Sequence, residues 1–296
     1  MALNPVANSA RQRFGEALKE VRLAARHDGE PVQQLDLARA LGLKSYHRVS
    51  RMERGETWPK DKEWATICTF LQMDDVTRVR LETMRSEGLA LVQSAWWNAP
   101  EFADDTDASL LVFVTNEQIA SRITTCAGSI IPGLFQTWDY GRTVTSYLGK
   151  STMSTAAIER SVKFRQMRRK LFERPTPPTI EAIIGEATLH QRVGGAEVMG
   201  RQLDALVADV HERSVTVRVV PFEANAALAY PLHLLEFGEN ERPVAAFDAM
   251  TGMIMKDTPK EVRGLRDFIG DLKDLSLSPD ESVERIEKIR RELSRD

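Results

Sequence analysis

The chain has 296 residues, 42% of them hydrophobic and 28% charged, and a formal net charge of −3. That length exceeds one ordinary domain, and the balance of apolar to charged residues excludes both a disordered and a membrane-embedded chain. No apolar run approaches the roughly 18 residues that span a bilayer, and "MALNPVANSARQRF" lacks the apolar block of a secretory signal, so a cytoplasmic protein is expected.

Near the N-terminus Phe14, Leu18, Val21 and Ala25 recur at helical spacing and predict an amphipathic helix. "HDGEP" predicts a loop. Gln34 to Leu41 reads as a short helix with Leu37, Ala38 and Leu41 inward, stopped by Gly42, where a left-handed residue is needed. A further helix is expected from Ser45 to Arg54, burying Val49 and Met52, before "GETWP" breaks the chain. Trp64, Ile67, Cys68 and Leu71 mark the next helix, and Val76 to Leu91 a fifth. Cys68 and Cys126 lack CxxC spacing and are expected as buried thiols.

"WWNAPEFADDTDAS" is acidic and broken by proline, the composition of a linker. Asp104, Asp105 and Asp107 do not follow the spacing of the twelve-residue calcium loop. Beyond it, helices are expected over 137–148 and 155–172, the second halted by the prolines of "ERPTPP". Strands are predicted at "TIEAII" (179–184), "VTVRVV" (215–220), "LHLLEF" (232–237), "PVAAFD" (243–248) and "GMIMKD" (252–257), the last two as a hairpin. A helix over 196–212 turns Met199, Leu203, Leu206 and Val210 to one side. Thr258 with Pro259, and Ser278 with Pro279 and Glu281, open two closing helices. The last, striped by Val283, Ile286, Ile289 and Leu293, packs either on its own domain or on a second subunit.

The net charge hides a local excess. Between Arg39 and Arg54 five basic residues face the single acid Glu53. A helix-turn-helix needs a small residue where its helices touch, a glycine in the turn and apolar residues to seat the second helix; Ala38, Gly42, Val49 and Met52 supply them. The second helix then presents Lys44, Ser45, Tyr46, His47, Arg48 and Arg51, types suited to base edges and phosphates of the major groove. Gln34, at the start of the first helix, is placed to hold a phosphate. The expected architecture is therefore an all-α N-terminal helix-turn-helix domain (1–93), a linker (94–109) and a larger α+β domain (110–296) with a small, mostly antiparallel sheet.

"QQLDLARALG…VSRMERGETWP" resembles the Cro/CI-type (Xre) helix-turn-helix family, in which Q-x-x-L-A-x-x-L-G is followed by V-S-R-(I/M)-E-R-G and a proline. The run from Gly42 to Val49 is one residue longer than that pattern. "IIPGLFQTWDYGR", "GEATLHQRVGGAEVMGRQLDAL" and "VTVRVVPF" in turn resemble the C-terminal domain of unknown function in actinobacterial Xre-type regulators of the WhiJ-like or antitoxin-like group. The resemblance implies a sequence-specific transcriptional regulator acting on double-stranded DNA as a homodimer, whose second domain engages an effector or a small protein encoded by a neighbouring gene. An antitoxin-like protein that mainly sequesters that neighbour and autoregulates through DNA is the alternative.

Nothing points to an enzyme or a cofactor. "GGAEVMGR" lacks the Lys-Ser/Thr end of a phosphate loop, no GxSxG is present, and His211 and His233 do not stand in HExxH. Glu117, Gln136, Tyr140, Glu186 and Arg192, polar residues in or beside the family-like segments, either form a recognition surface for a ligand or partner or cap helices and link layers.

Overall fold

The computed structural model describes residues 5–27, 29–102, 106–149, 152–226, 228, 231–238, 241–249 and 252–293. Asp28 of the expected loop, Asp104 and Asp105 of the expected linker, and Met250 and Thr251 of the expected hairpin turn lie outside them. The chain divides into two compact units, Met1–Asn98 and Ala99–Asp296.

In the first unit, α1 (Pro5–Ala24) leads into a two-residue strand pair, β1 (Arg26–His27) and β2 (Glu30–Pro31), where the sequence predicts only a loop. Burial of Val32 draws the returning chain inward, and its N–H donates to Ala25 O at 3.1 Å. Four helices follow: α2 (Gln34–Ala40), α3 (His47–Glu53), α4 (Asp61–Phe70) and α5 (Asp75–Ser94). Phe14, Leu18, Leu37, Val49, Met52 and Ile67 are fully buried between them, each contributing about 1.5–3 kcal/mol. Three of these helices end alike. Gly42 (φ 72°) and Gly55 (φ 68°) are left-handed, so that Leu43 N–H reaches back to Ala38 O and Glu56 N–H to Arg51 O, both at 2.9 Å. After α4 the same turn is made by Gln72 at φ 50°.

Early in the second unit Phe102 is seated edge-on against Phe164 at 5.1 Å, and α6 (Ala108–Ile119) follows, its first N–H groups capped by Asp107. Then come β3 (Arg122–Ala127), α7 (Trp138–Leu148), α8 (Thr155–Met167), β4 (Thr179–Gly185), α9 (Glu186–His190), α10 (Ala196–Glu212) and β5 (Val215–Val220). The chain closes with β6 (Leu232–Glu236), β7 (Val244–Ala249), β8 (Gly252–Lys256), α11 (Pro259–Leu275) and α12 (Pro279–Leu293). The helix expected to reach residue 172 stops at Met167 and tightens into a 3-10 segment, Arg168–Glu173.

The sheet corrects the sequence reading. It is mixed and six-stranded, in the order β5-β4-β3-β6-β7-β8, not a small antiparallel one. β3, β4 and β5 run parallel, and β6, β7 and β8 continue antiparallel, with Ile123 opposite both Ile180 and Leu235. β3 is the strand that went unread: "RITTCA" is buried on both faces from Ile123 onward and so shows no alternation. α6 was missed for the same reason, its segment being buried over most of its circumference. α11 covers one face, placing Val262, Leu265, Ile269 and Leu272 against Cys126, Ile183, Leu232, Leu234 and Ala245. α12 packs within its own unit, on α10 and β5; Ser282 Oγ accepts from Val219 N–H at 2.9 Å, and Arg290 donates to Asp204 at 2.9 Å.

Candidate nucleic-acid interface

α2 and α3 are held by one buried polar network. Arg22 of α1 donates through Nε and Nη2 to both carboxylate oxygens of Glu53 in α3, and through Nη1 to Val32 O at 2.6 Å. Gln34 of α2 adds a bond from Nε2 to Glu53 Oε2 at 2.6 Å. The backbones of α1 and α3 touch as well, since a Cβ on Gly15 would lie 2.5 Å from Met52 O. α3 is thus fixed on its scaffold with its outer side open.

On that open side lie Lys44, Ser45, Tyr46, His47 and Arg51, all exposed. α3 begins at His47, two residues later than expected, with Lys44 and Ser45 in a bend and Tyr46 at the cap position. The Tyr46 and His47 rings lie 4.6 Å apart, a small aromatic platform at the helix start. Lys44 has no hydrogen-bond or ion-pair partner among the described residues. Arg51 and Arg54 share the carboxylate of Glu56, which the Arg54 hydrogen bond, and then that of Arg51, holds below the usual carboxylate range. Such exposed pairs are weak and exchange readily for phosphate.

Two residues expected on this face are turned inward. The Arg48 guanidinium donates to both oxygens of Glu63 (3.0 and 2.8 Å), to Thr57 Oγ1 (2.8 Å) and to Trp58 O (3.1 Å), which clamps α3 to the start of α4. Its hydrogen bond to Glu63 raises its pKa and lowers that of Glu63. The groove contact expected for Arg48 therefore meets a side chain whose donors are committed internally. Gln34 is likewise committed to Glu53, and Asp36 caps the start of α2 by accepting from Gln33 N–H, which sets an acid where a phosphate was expected.

The five residues singled out in the second unit do not come together as one surface. Glu117 is buried and takes a two-pronged pair from Arg168 at 2.8 and 2.6 Å. Gln136 and Tyr140 are buried around Ile131: Gln136 Nε2 donates to Ile131 O at 2.7 Å, and Tyr140 Oη accepts from Ile131 N–H at 3.0 Å. Burial opposes the charge of Glu186, but hydrogen bonds from Phe222 N–H and Arg285 outweigh it and keep its pKa below the usual range. Arg192 is exposed in the turn before α10. Glu117 and Glu186 thus link separate elements, and Gln136 and Tyr140 fix the loop at Ile131, with Gln136 Oε1 left buried without a partner.

The Arg22–Glu53 pair was missed in the sequence, although a signal was present. Glu53 follows Val49 by four residues, so the one acid of the basic run sits on the inward stripe. Among the described residues no helix is long and apolar enough to cross a membrane.

These features define a two-unit protein: a small helical unit with a basic, aromatic helix start on its surface, followed by a larger unit built on a mixed sheet. The chain belongs to the family described as Domain of unknown function (DUF5753), which matches residues 110–288, from α6 to α12. No curated protein and no solved structure matches the chain.

Proposed function

We propose that the chain is a sequence-specific transcriptional regulator of the helix-turn-helix class, which lays the start of α3 in the major groove of double-stranded DNA. The observation that carries this reading is the exposed cluster Lys44, Ser45, Tyr46, His47 and Arg51 at a helix anchored from behind by Arg22, Glu53 and Arg48. Side chains that read bases must be open, and the helix bearing them must not shift. Lys44 and Arg51 supply charge for phosphates, while Ser45, Tyr46 and His47 supply donors and faces for base edges. The second unit serves as the effector- or partner-binding and oligomerisation module; as a homodimer the protein addresses two half-sites about 34 Å apart.

The test is selection of duplexes from a randomised library by the full chain, followed by gel shifts across a salt series. Enrichment of a paired motif is expected, with affinity falling steeply as salt rises. K44A and R51A should weaken binding and flatten the salt slope, each by about one phosphate contact. Failure to enrich any sequence, with no salt-dependent duplex binding, overturns the reading.

A further inference from the structure

The second unit encloses a cavity of about 420 Å³ between β3, β6, β7 and the helices α6, α7 and α8, within the range of small-molecule sites. Leu110, Phe113, Ile131 and Phe164 give it apolar walls. Several of the polar groups along it are matched, while Thr125 Oγ1 and Gln136 Oε1 are buried without a hydrogen-bond partner. Arg168 is paired with Glu117, and Asp107 is spent on the N–H groups of Ser109 and Leu110. His233, buried against Phe113 at 4.8 Å, is neutral, its pKa pushed down to about 3 by burial and then by Arg168.

Two charges on the lining have no ion-pair partner among the described residues. Arg165 makes one hydrogen bond, from Nη1 to Thr145 Oγ1 at 2.8 Å, and has no carboxylate within ion-pair distance among the described residues. Burial, and next the neighbouring Arg168, lower its pKa to about 10 against the field of Asp248. Asp248 of β7 lines the same cavity and likewise has no side-chain hydrogen bond or ion pair among the described residues. Desolvation raises its pKa against the fields of Arg168 and Arg165. The two groups sense each other yet stay beyond ion-pair distance. A half-buried guanidinium and an exposed carboxylate, neither with an ion-pair partner among the described residues, thus line one cavity, and a molecule carrying both an anionic and a cationic group can pair with both.

We propose that this cavity binds a zwitterionic amino-carboxylate with an apolar body, an amino acid or short peptide, whose carboxylate meets Arg165 and whose ammonium meets Asp248. This names the effector class of the regulator proposed above and rests on that reading for its biological sense, but the binding itself does not involve the α3 face. A simple organic acid would leave Asp248 without a counter-charge, and an amine would leave Arg165 without one. Size points the same way: the space suits one small molecule and not a folded partner.

The test is calorimetry on the full chain without DNA, so that its failure leaves the DNA reading untouched. The probes are L-phenylalanine, L-leucine, L-methionine and glycyl-L-phenylalanine, with 3-phenylpropionate and 2-phenylethylamine as singly charged controls. Saturable binding of at least one zwitterion at millimolar concentration is expected, with R165M and D248N each weakening it about tenfold or more. The single amino acids against the dipeptide tell which length fits. D248N alters an exposed side chain and keeps the question open to refutation should R165M fail to fold. The proposal is overturned if none of the four zwitterions binds, or if 3-phenylpropionate binds as well as L-phenylalanine and D248N changes nothing.

Discussion

Arg22 and Glu53 meet in a buried, two-pronged ion pair that fastens α1 to α3, with both side chains almost wholly out of contact with water. Gln34 completes it, so three helices of the first unit converge on a single carboxylate. Removing one member leaves the other charge stranded in a low-dielectric site. E53A is expected to lose about 3–5 kcal/mol of stability, and the double variant R22M/E53M to recover a large part of that loss. Urea unfolding of the full chain followed by tryptophan fluorescence reads both; a loss as small as that of a surface variant would show the pair to be unimportant.

Arg48 and Arg51 stand three residues apart on one helix and differ in their expected effect on stability. Arg48 is tied to Glu63, Thr57 and Trp58, so R48A should cost about 1–3 kcal/mol of stability and weaken binding to all duplexes alike. Arg51 is exposed, so R51A should leave the unfolding midpoint in place and lower DNA affinity. Parallel urea and gel-shift series decide. An altered base preference in R48A with unchanged stability would return Arg48 to the groove.

Gln72 holds a left-handed φ of 50° at the end of α4, where α2 and α3 use Gly42 and Gly55. A side chain there crowds the following backbone, and glycine removes that strain at some cost in unfolded-state entropy. Q72G is expected to raise stability by about 0.5–1 kcal/mol. A lowered unfolding midpoint in Q72G would contradict the expectation.

His233 makes the second unit acid-sensitive. Burial, followed by the charge on Arg168, depresses its pKa from 6.5 to about 3, so the folded state stays neutral where the unfolded chain takes up a proton. Protons then bind preferentially to the unfolded chain between those two values, and the stability His233 permits is lost as pH falls through that window. The loss amounts to about 2 kcal/mol at pH 5. Melting the full chain at about pH 7.5 and pH 5 should show a drop that H233Q reduces. Equal drops in both proteins would place the acid sensitivity elsewhere.

Much of this organisation is legible along the chain because it depends on local periodicity. Phe14, Leu18 and Val21 mark α1, Thr258 with Pro259 opens α11, and Gly42 and Gly55 end α2 and α3, each by rules that operate within a few residues. β3 and the second half of α6 were illegible for the same reason: a segment buried on every side has no exposed face to set a period. One of the two parallel pairings, β3 with β4, depends on that hidden strand, as does the junction of the parallel and antiparallel halves of the sheet.

The basic stretch from Arg39 to Arg54 divides along the same line. Its apolar frame, its turn glycine and its excess of cations were determined by the sequence, since each is a property of residue type and spacing. Which cations remain available was decided only in three dimensions. Arg48 finds Glu63 fifteen residues away and turns inward, while Lys44 finds no partner among the described residues. The same holds for Arg165 and Asp248, whose approach across one cavity no spacing encodes. Charge is written in the sequence, but pairing is a distance, and only the tertiary structure sets distances between residues remote in the chain.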